Sequence, residues 1–275
     1  MVRGDGDGWV HCADGQRRWG RFGAAGLLLR APGSDGEPLL LLQHRATWTH
    51  YGDLWGLPGG ARNSGESAAD AAVREAGEEA GVAPGAVRVV DERAAHPASD
   101  AWSYTTVVAE AAAPLPVTAN QESAELRWLT EPEVARLRLH PAFAASWPAL
   151  RSRDVVLVVD AANVVGSVPD GWWRDRAGAA ERLLHRLARA LPRTLALPDG
   201  YGWVRRCVVV LEGRGAAAPD VAAVDVVRAP GSGDDTIVSV AEPGAVVVTA
   251  DRGLRARLPA GVTALGPATL LALLR

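Results

Sequence analysis

The chain has 275 residues, 48% of them apolar, and a net charge of −3, which is enough for a sizeable core and, by length, for two domains. It contains no lysine. All 29 basic residues are arginine, which excludes a P-loop lysine and Schiff-base chemistry. Its two cysteines, Cys12 and Cys207, make neither a disulfide framework nor a four-thiolate zinc site and suit a reducing compartment.

The opening MVRGDGDGWVHC lacks an apolar h-region, and no apolar run is long enough to cross a bilayer, so a cytoplasmic protein with no membrane partner is expected. GAAGLLLR and LLLLQHR are strand candidates on either side of the turn-rich APGSDGEP. WGLPGGARNSGES reads as a glycine-rich loop feeding a helix from about Ser67 to Ala80, closed by Gly81. AWSYTTVVAE and AELRWL are further strands, and TEPEVARL opens a helix on a capping box, Thr130 with Glu133. PAFAASWPALRSRD reads as the join between domains. From Asp154 onward, short β-branched runs (VVLVVD, CVVVLEG, VDVVRAP, AVVVTAD, VTALG) alternate with helical segments, the clearest being RDRAGAAERLLHRLARAL. That alternation indicates a parallel sheet covered on both faces.

Within the first helix, REAGEEAG places Glu75, Glu78 and Glu79 at i, i+3 and i+4, on one face. Like charges at that spacing weaken a helix by about 0.2–0.5 kcal/mol per pair. Gly77 costs up to roughly another 1 kcal/mol. Ala69, Val73, Ala76 and Ala80 form the flanking apolar stripe, so the carboxylates stand at the edge of a buried face. An ordinary acidic face is simply solvated. Three anions beside a core are stabilised most simply by a divalent cation, and oxygen ligands favour magnesium or manganese.

The wider pattern is Gly60, Glu66, Arg74, Glu75, Glu78, Glu79, Gly81 and Val82, spaced G-x5-E-x7-R-E-x-x-E-E-x-G-V. Setting aside the aliphatic last position, the seven others match by chance in roughly one window in 10^8. This resembles the Nudix box of the Nudix hydrolases, departing only at Ala76, where the family usually has a larger aliphatic residue. The resemblance implies an α/β/α sandwich with a mixed sheet that hydrolyses a nucleoside diphosphate linked to another moiety. It implies metal ligation by Glu75, Glu78 and Glu79, with the Gly60 carbonyl as a further oxygen. Arg74 would orient the glutamates and Glu66 would brace the loop. Glu122, or after it Glu125, would supply a later carboxylate as base or ligand. Trp48, Trp102 and Tyr104 are candidates for stacking on a base and Arg45 for meeting a phosphate, each weighed against ordinary packing.

In a parallel sheet the C-terminal strand ends share one edge, where ligands bind. Asp160, Glu212 and Asp251 close three strands, Asp234 and Asp235 open the helix after a fourth, and Asn163 follows three residues past Asp160. Singly these would be caps or turn residues. Together they predict an anionic pocket for one or two magnesium or manganese ions. VVDAANVV, APGSGDDTIVSVA and VVVTADRGLRARL resemble the NYN subgroup of PIN-like nucleases, with Ala161 departing from the small glycine common there. The resemblance implies metal-dependent RNA cleavage. Asp160, Asp234 or Asp235, and Asp251 would be ligands, supported by Asn163 and Thr249. Arg205, Arg206, Arg252 and Arg255 would guide the backbone, and Trp172 and Trp173 are stacking candidates. A haloacid-dehalogenase phosphatase would need an aspartate where Ala162 stands and a later lysine, so it falls away.

The expectation is therefore a Nudix domain over 1–148 and a PIN-like, NYN-type doubly wound domain over 154–275, with magnesium or manganese at both sites. A nucleotide would be the substrate and RNA a partner of the second half. Residues 1–150 carry 13 arginines against 19 acids and the remainder 16 against 13. That slight positive balance in the second half agrees weakly with RNA as its partner. Composition leaves the oligomeric state open. The competing expectation is a regulatory protein that senses a nucleotide and contacts RNA or another protein without cutting.

Overall fold

The apolar runs that open the chain pair into a sheet because their side chains alternate between two hydrophobic layers. In a computed structural model, which describes residues 4–13, 15–94 and 102–274, Ala25, Leu27 and Leu29 face one core and Leu28 faces another. Leu41 and Val107 join the first core; Leu40, Leu42 and Val108 join the second. This two-residue period is what a strand buried on both faces requires. Ala101, the first residue of the predicted strand AWSYTTVVAE, lies outside the described residues.

Two compact units emerge, one of residues 1–151 with 196–201, the other of 152–195 with 202–275. The first contains β1 (Trp9–His11), β2 (Arg17–Trp19), β3 (Ala24–Pro32), β4 (Pro38–Arg45), β5 (Trp55–Gly56) and β6 (Gly59–Ala61). It continues with α1 (Ala68–Ala80), β7 (Arg88–Ala94), β8 (Tyr104–Glu110), β9 (Ser123–Thr130), α2 (Glu131–Val134) and α3 (Pro141–Leu150). β1 and β2 form a separate hairpin. The main sheet runs β5-β4-β3-β8-β7, with β6 on β3 and β9 on β4. Its β3–β8 pair is parallel, and its other pairs are antiparallel.

The registers explain how the glycine loop is held. β3 and β4 pair only over Arg30–Pro32 and Pro38–Leu40. β8 occupies the far edge of β3 and β9 the far edge of β4. β5 and β6 therefore lie in the fork where β3 and β4 part, which sets Gly59 and Gly60 within the sheet. α1 covers one face through Ala68, Ala71, Ala72, Ala76 and Ala80. Phe143, Trp147 and Leu150 of α3 cover the other. The result is an α/β/α sandwich around a mixed sheet.

Three expectations need correction. The segment from Pro141 does hold the boundary between the units, after Arg151, but most of it is a helix, Pro141–Leu150, whose two large aromatics are core. The buried stripe of α1 runs through Ala68, Ala71, Ala72, Ala76, Glu79 and Ala80, while Ala69 and Val73 are only partly buried. Residues 196–201 group with the first unit rather than with a continuous 154–275 block, because Tyr201 is buried in the α3-side core. The short strands β1, β2, β5 and β6, and the polar β7, carry too little alternation to be read from sequence.

The second unit contains β10 (Ser152–Asp160), α4 (Ala161–Gly166), α5 (Arg176–Ala190), the larger parts of β11 (Arg193–Leu197) and β12 (Gly200–Leu211), and β13 (Asp225–Arg228). α6 (Gly233–Val240), β14 (Val246–Val248), α7 (Arg252–Arg257), β15 (Thr263–Leu265) and α8 (Pro267–Leu273) follow. The strand order is β11-β12-β10-β14-β15, with β13 on β12. The β10–β14, β14–β15 and β12–β13 pairs are parallel. Val158, Val208, Val210 and Val247 pack with Ile237 of α6 and Leu254 of α7. Their strand neighbours Leu157, Val159, Val209, Val246 and Val248 are buried as well, so both faces are covered.

Candidate functional site

Helix α1 carries its carboxylates to the forked edge because both its ends are fixed. The Ser67 hydroxyl caps it by accepting from the Asp70 amide at 3.0 Å, and Gly81 ends it at φ 72°. Arg74 then ties helix to loop. Its Nε and Nη2 fork onto the two Glu66 oxygens at 2.8 and 3.0 Å, and Nη2 also donates to the Ala61 carbonyl at 2.9 Å. Its Nη1 reaches Glu75 at 2.9 Å and Glu78 at 3.5 Å. Glu66 additionally accepts from the Asn63 amide at 2.8 Å, and the hydrogen bonds from Arg74 hold its carboxyl below the usual range. The arginine and the outlying glutamate of the sequence pattern are thus one brace.

The three helix glutamates meet different environments. Glu78 is the most open, with 43% of its side chain exposed. Glu75 lies against Gly60, where a Cβ would come within 2.6 Å of its carboxylate. Burial, and after it repulsion from Glu78 and Asp7, pushes Glu75 up to about 6 despite Arg74. Glu79 is only 4% exposed and accepts from the Gly59 amide at 2.8 Å. Burial, joined by repulsion from Glu75 and Glu122, pushes it up to about 8 against the pull of Arg45.

Among the described residues, no three His, Cys, Asp or Glu side chains are already drawn together as a metal cage. Glu75 and Glu78 lean on Arg74, and Glu79 leans on Gly59. The donor set nonetheless fits a hard divalent cation. It is all oxygen, and burial holds two of its carboxylates above their ordinary range, a cost that a cation among them would offset.

Glu122 precedes β9 and its charge acts on Glu79, whereas Glu125 lies within β9 and pairs with Arg127. Arg45 donates to the His50 carbonyl at 3.1 Å and its charge reaches Glu79, Tyr104 and His140. Trp48 is 68% exposed on the loop that follows β4, whereas Trp102 donates to the Trp19 carbonyl and is covered by Arg18. Tyr104 is pushed up to about 12 by burial and by Glu79, so it stays a neutral hydroxyl. Asp7, through its charge on Glu75, and the neutral Tyr104 and His140 complete the surroundings. Burial, with the Arg45 and His50 charges, holds His140 down at about 4. Nothing in the local pattern around Asp7 or His140 marks them in sequence.

In the second unit, Asp160 ends β10 and caps α4, its Oδ1 accepting from the Asn163 amide at 3.0 Å. Its Oδ2 accepts from the Thr249 hydroxyl at 2.8 Å, across the β10–β14 pair. The Asn163 side-chain oxygen accepts from the Ala250 amide at 2.7 Å, which makes it a brace between the same strand ends. Burial, then repulsion from Asp234 and Glu212, raises Asp160. Burial, then repulsion from Asp251 and with it Glu212 and Asp235, raises Asp234. Asp160, Glu212, Asp234 and Asp251 thus share one field, although Glu212 also accepts from the Gly233 amide and Asp251 caps α7.

Both of the adjacent pair stand near Arg257, but Asp235 is 69% exposed, whereas Asp234 is the less exposed member and feels the charges of Asp251 and Glu212. Several predicted backbone guides are occupied. Arg205 pairs with Asp154, Arg206 with Asp225, and Arg255 donates to the Thr249 carbonyl. Arg252 remains exposed at the start of α7.

The NUDIX domain family model matches residues 20–151. Over 156 residues the chain is 56% identical to "Putative 8-oxo-dGTP diphosphatase 3" of Mycobacterium tuberculosis, covering 55% of this chain and 72% of that protein. It is 39% identical over 158 residues to a nucleoside triphosphate pyrophosphatase/Nudix hydrolase fusion protein of Bifidobacterium longum, 32% of which is covered. The crystal structure of RenU, a Nudix hydrolase from M. smegmatis, is 52% identical with a TM-score of 0.50, covering 52% of this chain and 91% of that one. The braced glutamate helix, the forked mixed sheet and these likenesses agree: the chain belongs to the Nudix family.

Proposed function

We propose that the first unit is a divalent-cation-dependent hydrolase that cleaves the diphosphate linkage of a nucleoside triphosphate or related nucleotide. The observation that carries this reading is the Arg74 brace, which directs Glu75 and Glu78, the former against Gly60, next to Glu79 held on Gly59 within the field of Glu122. Glu75, Glu78, Glu79 and the Gly60 carbonyl would hold magnesium or manganese, with Glu122 as a further ligand or base. The cation would supply positive charge to the diphosphate oxygens and to the attacking water. Arg74 fixes two carboxylates in direction without neutralising the third. Glu79, pushed up to about 8, is a strong proton acceptor once ionised. Arg45, whose charge reaches Glu79, would meet a substrate phosphate, and Trp48, exposed on its loop, would offer its ring to a base.

The relative named for 8-oxo-dGTP makes that nucleotide the first substrate to test, followed by unmodified NTPs, ADP-ribose, nucleotide sugars and 5′-triphosphate RNA. With magnesium, the expected result is turnover of at least one of these, lost in Glu78→Gln and in Glu79→Gln. Saturable nucleotide binding with no turnover of any of them would replace this reading with a nucleotide sensor.

For the second unit we propose a PIN-like, NYN-type metal-dependent ribonuclease. It rests on Asp160, Glu212, Asp234 and Asp251 repelling one another at the ends of β10, β12 and β14. Asp160, Asp234 and Asp251 would hold the cation, with Asp235 at the rim, Asn163 and Thr249 as supports and Arg252 toward the RNA backbone. Asp160→Asn is expected to abolish RNA cleavage and leave nucleotide hydrolysis intact. Loss of both activities together would refute two separate sites.

A further inference from the structure

Helix α5 divides cleanly into two faces. Ala179, Ala180, Leu183, Leu184 and Leu187 are buried, whereas Arg182, His185, Arg186 and Arg189 are exposed at i, i+3, i+4 and i+7. The four exposed residues line a groove of about 410 Å³. Two acids reach the stripe at its start: Asp170 stands 3.8 Å from Arg182, and Glu181 3.8 Å from His185. Arg186 and Arg189 meet only carbonyl oxygens, those of Leu274 and His185, and have no carboxylate partner among the described residues. Arginines at i, i+4 and i+7, each three or four residues from the next, weaken the helix that carries them. The neutral residues that suit an exposed helix face would remove that cost.

At the start of the same helix, Arg176 covers the ring of Trp172 at 5.2 Å, and Trp173 beside it is 56% exposed. An exposed indole followed by a line of guanidinium groups roughly 10 Å long, at 1.5 Å rise per residue, matches a strand that alternates bases with phosphates. An acidic peptide would leave the indole without a partner, and a lipid surface, which suits an indole, would need the apolar face of α5 that is already buried.

We propose that the exposed face of α5 binds single-stranded nucleic acid, the arginines on successive phosphates and Trp173 on a base. The binding is independent of cleavage at the acidic edge, and it is tested with EDTA present so that neither site turns over.

The probe is a fluorescein-labelled single-stranded RNA of about 20 nucleotides, read by anisotropy with the full chain from about 50 mM salt upward. Saturable binding is expected, weakened at least tenfold in the triple variant Arg182→Gln/Arg186→Gln/Arg189→Gln. The slope of log affinity against log salt should fall by about 2, at roughly 0.7 per phosphate contact. The triple arginine-to-lysine variant keeps the charges and should keep the slope, which separates charge from folding. Trp173→Ala should weaken RNA binding on the order of tenfold while leaving the salt slope unchanged. Equal affinity of the glutamine variant and the parent, or no binding by the parent at the lowest salt, overturns the proposal. So does arginine-dependent binding to phosphatidylserine vesicles or polyglutamate without binding to RNA.

Discussion

Replacing Glu79 by Gln should stabilise the metal-free protein while destroying its response to magnesium. Glu79 is 4% exposed, and one of its oxygens accepts from the Gly59 amide, a bond the glutamine oxygen can retain. What the substitution removes is the buried charge. A carboxylate raised from 4.5 to about 8 prefers the protonated fold. Its contribution is therefore fully present below pH 4.5 and is lost as pH rises toward 8. At 1.36 kcal/mol per pH unit, this amounts to on the order of 4 kcal/mol at pH 8. For a unit of this size that is roughly 10 °C in melting temperature. Melting followed by tryptophan fluorescence in EDTA should show little difference between parent and Glu79→Gln at pH 5. By pH 8 the variant should melt well above the parent. Magnesium should then raise the parent's transition and leave the variant's in place. A variant that melts at or below the parent at pH 8 would refute the buried-charge account, and an unchanged magnesium shift would remove Glu79 from the cation site.

Gly60→Ala should cut nucleotide turnover by an order of magnitude or more with a smaller loss of stability, because its Cβ would stand 2.6 Å from the Glu75 carboxylate; unchanged turnover across the magnesium range would show that this contact does not matter. Arg74→Lys keeps the charge but cannot span Glu66, Ala61, Glu75 and Glu78, so the magnesium concentration needed for half-maximal activity should rise at least several-fold. Asp160→Asn should raise the melting temperature of the metal-free second unit at pH 7. Asp160 is raised by burial, so ionising it costs stability as pH climbs. A lower melting temperature at pH 7 would locate its main role in holding Thr249 and Asn163 instead.

The first site was legible in outline because its chemistry is local. Glu75, Glu78 and Glu79 lie within two helical turns, so helical spacing alone puts them on one face, and Ser67 and Gly81 mark the helix ends by the physics of capping. The same holds for the strands that contribute to the cores, whose apolar runs are dense enough to show their period. β7, with arginine, aspartate and glutamate in RVVDERA, offers no such period and is a strand only because β8 lies beside it. The helix from Pro141 is likewise hidden, since PAFAASWP carries two prolines and reads as loop until Phe143 and Trp147 find a sheet to cover.

The sequence alone determined which groups are present and how they are spaced along the chain: the helix with its carboxylate face, the glycine-rich loop ahead of it, and acids at the ends of apolar strands. Only the tertiary structure decided how those groups differ. The parting of β3 from β4 seats Gly59 and Gly60 against the helix, so Glu79 is buried, Glu75 is half-released by Arg74 and Glu78 stays in water. The physical reason is that a charge's energy depends on what surrounds it in space. Arg74 stands beside Glu75 in sequence and its spacing could be read. The burial of Glu79 and the Gly59 amide it accepts from come from residues distant along the chain, and spacing carries no record of them.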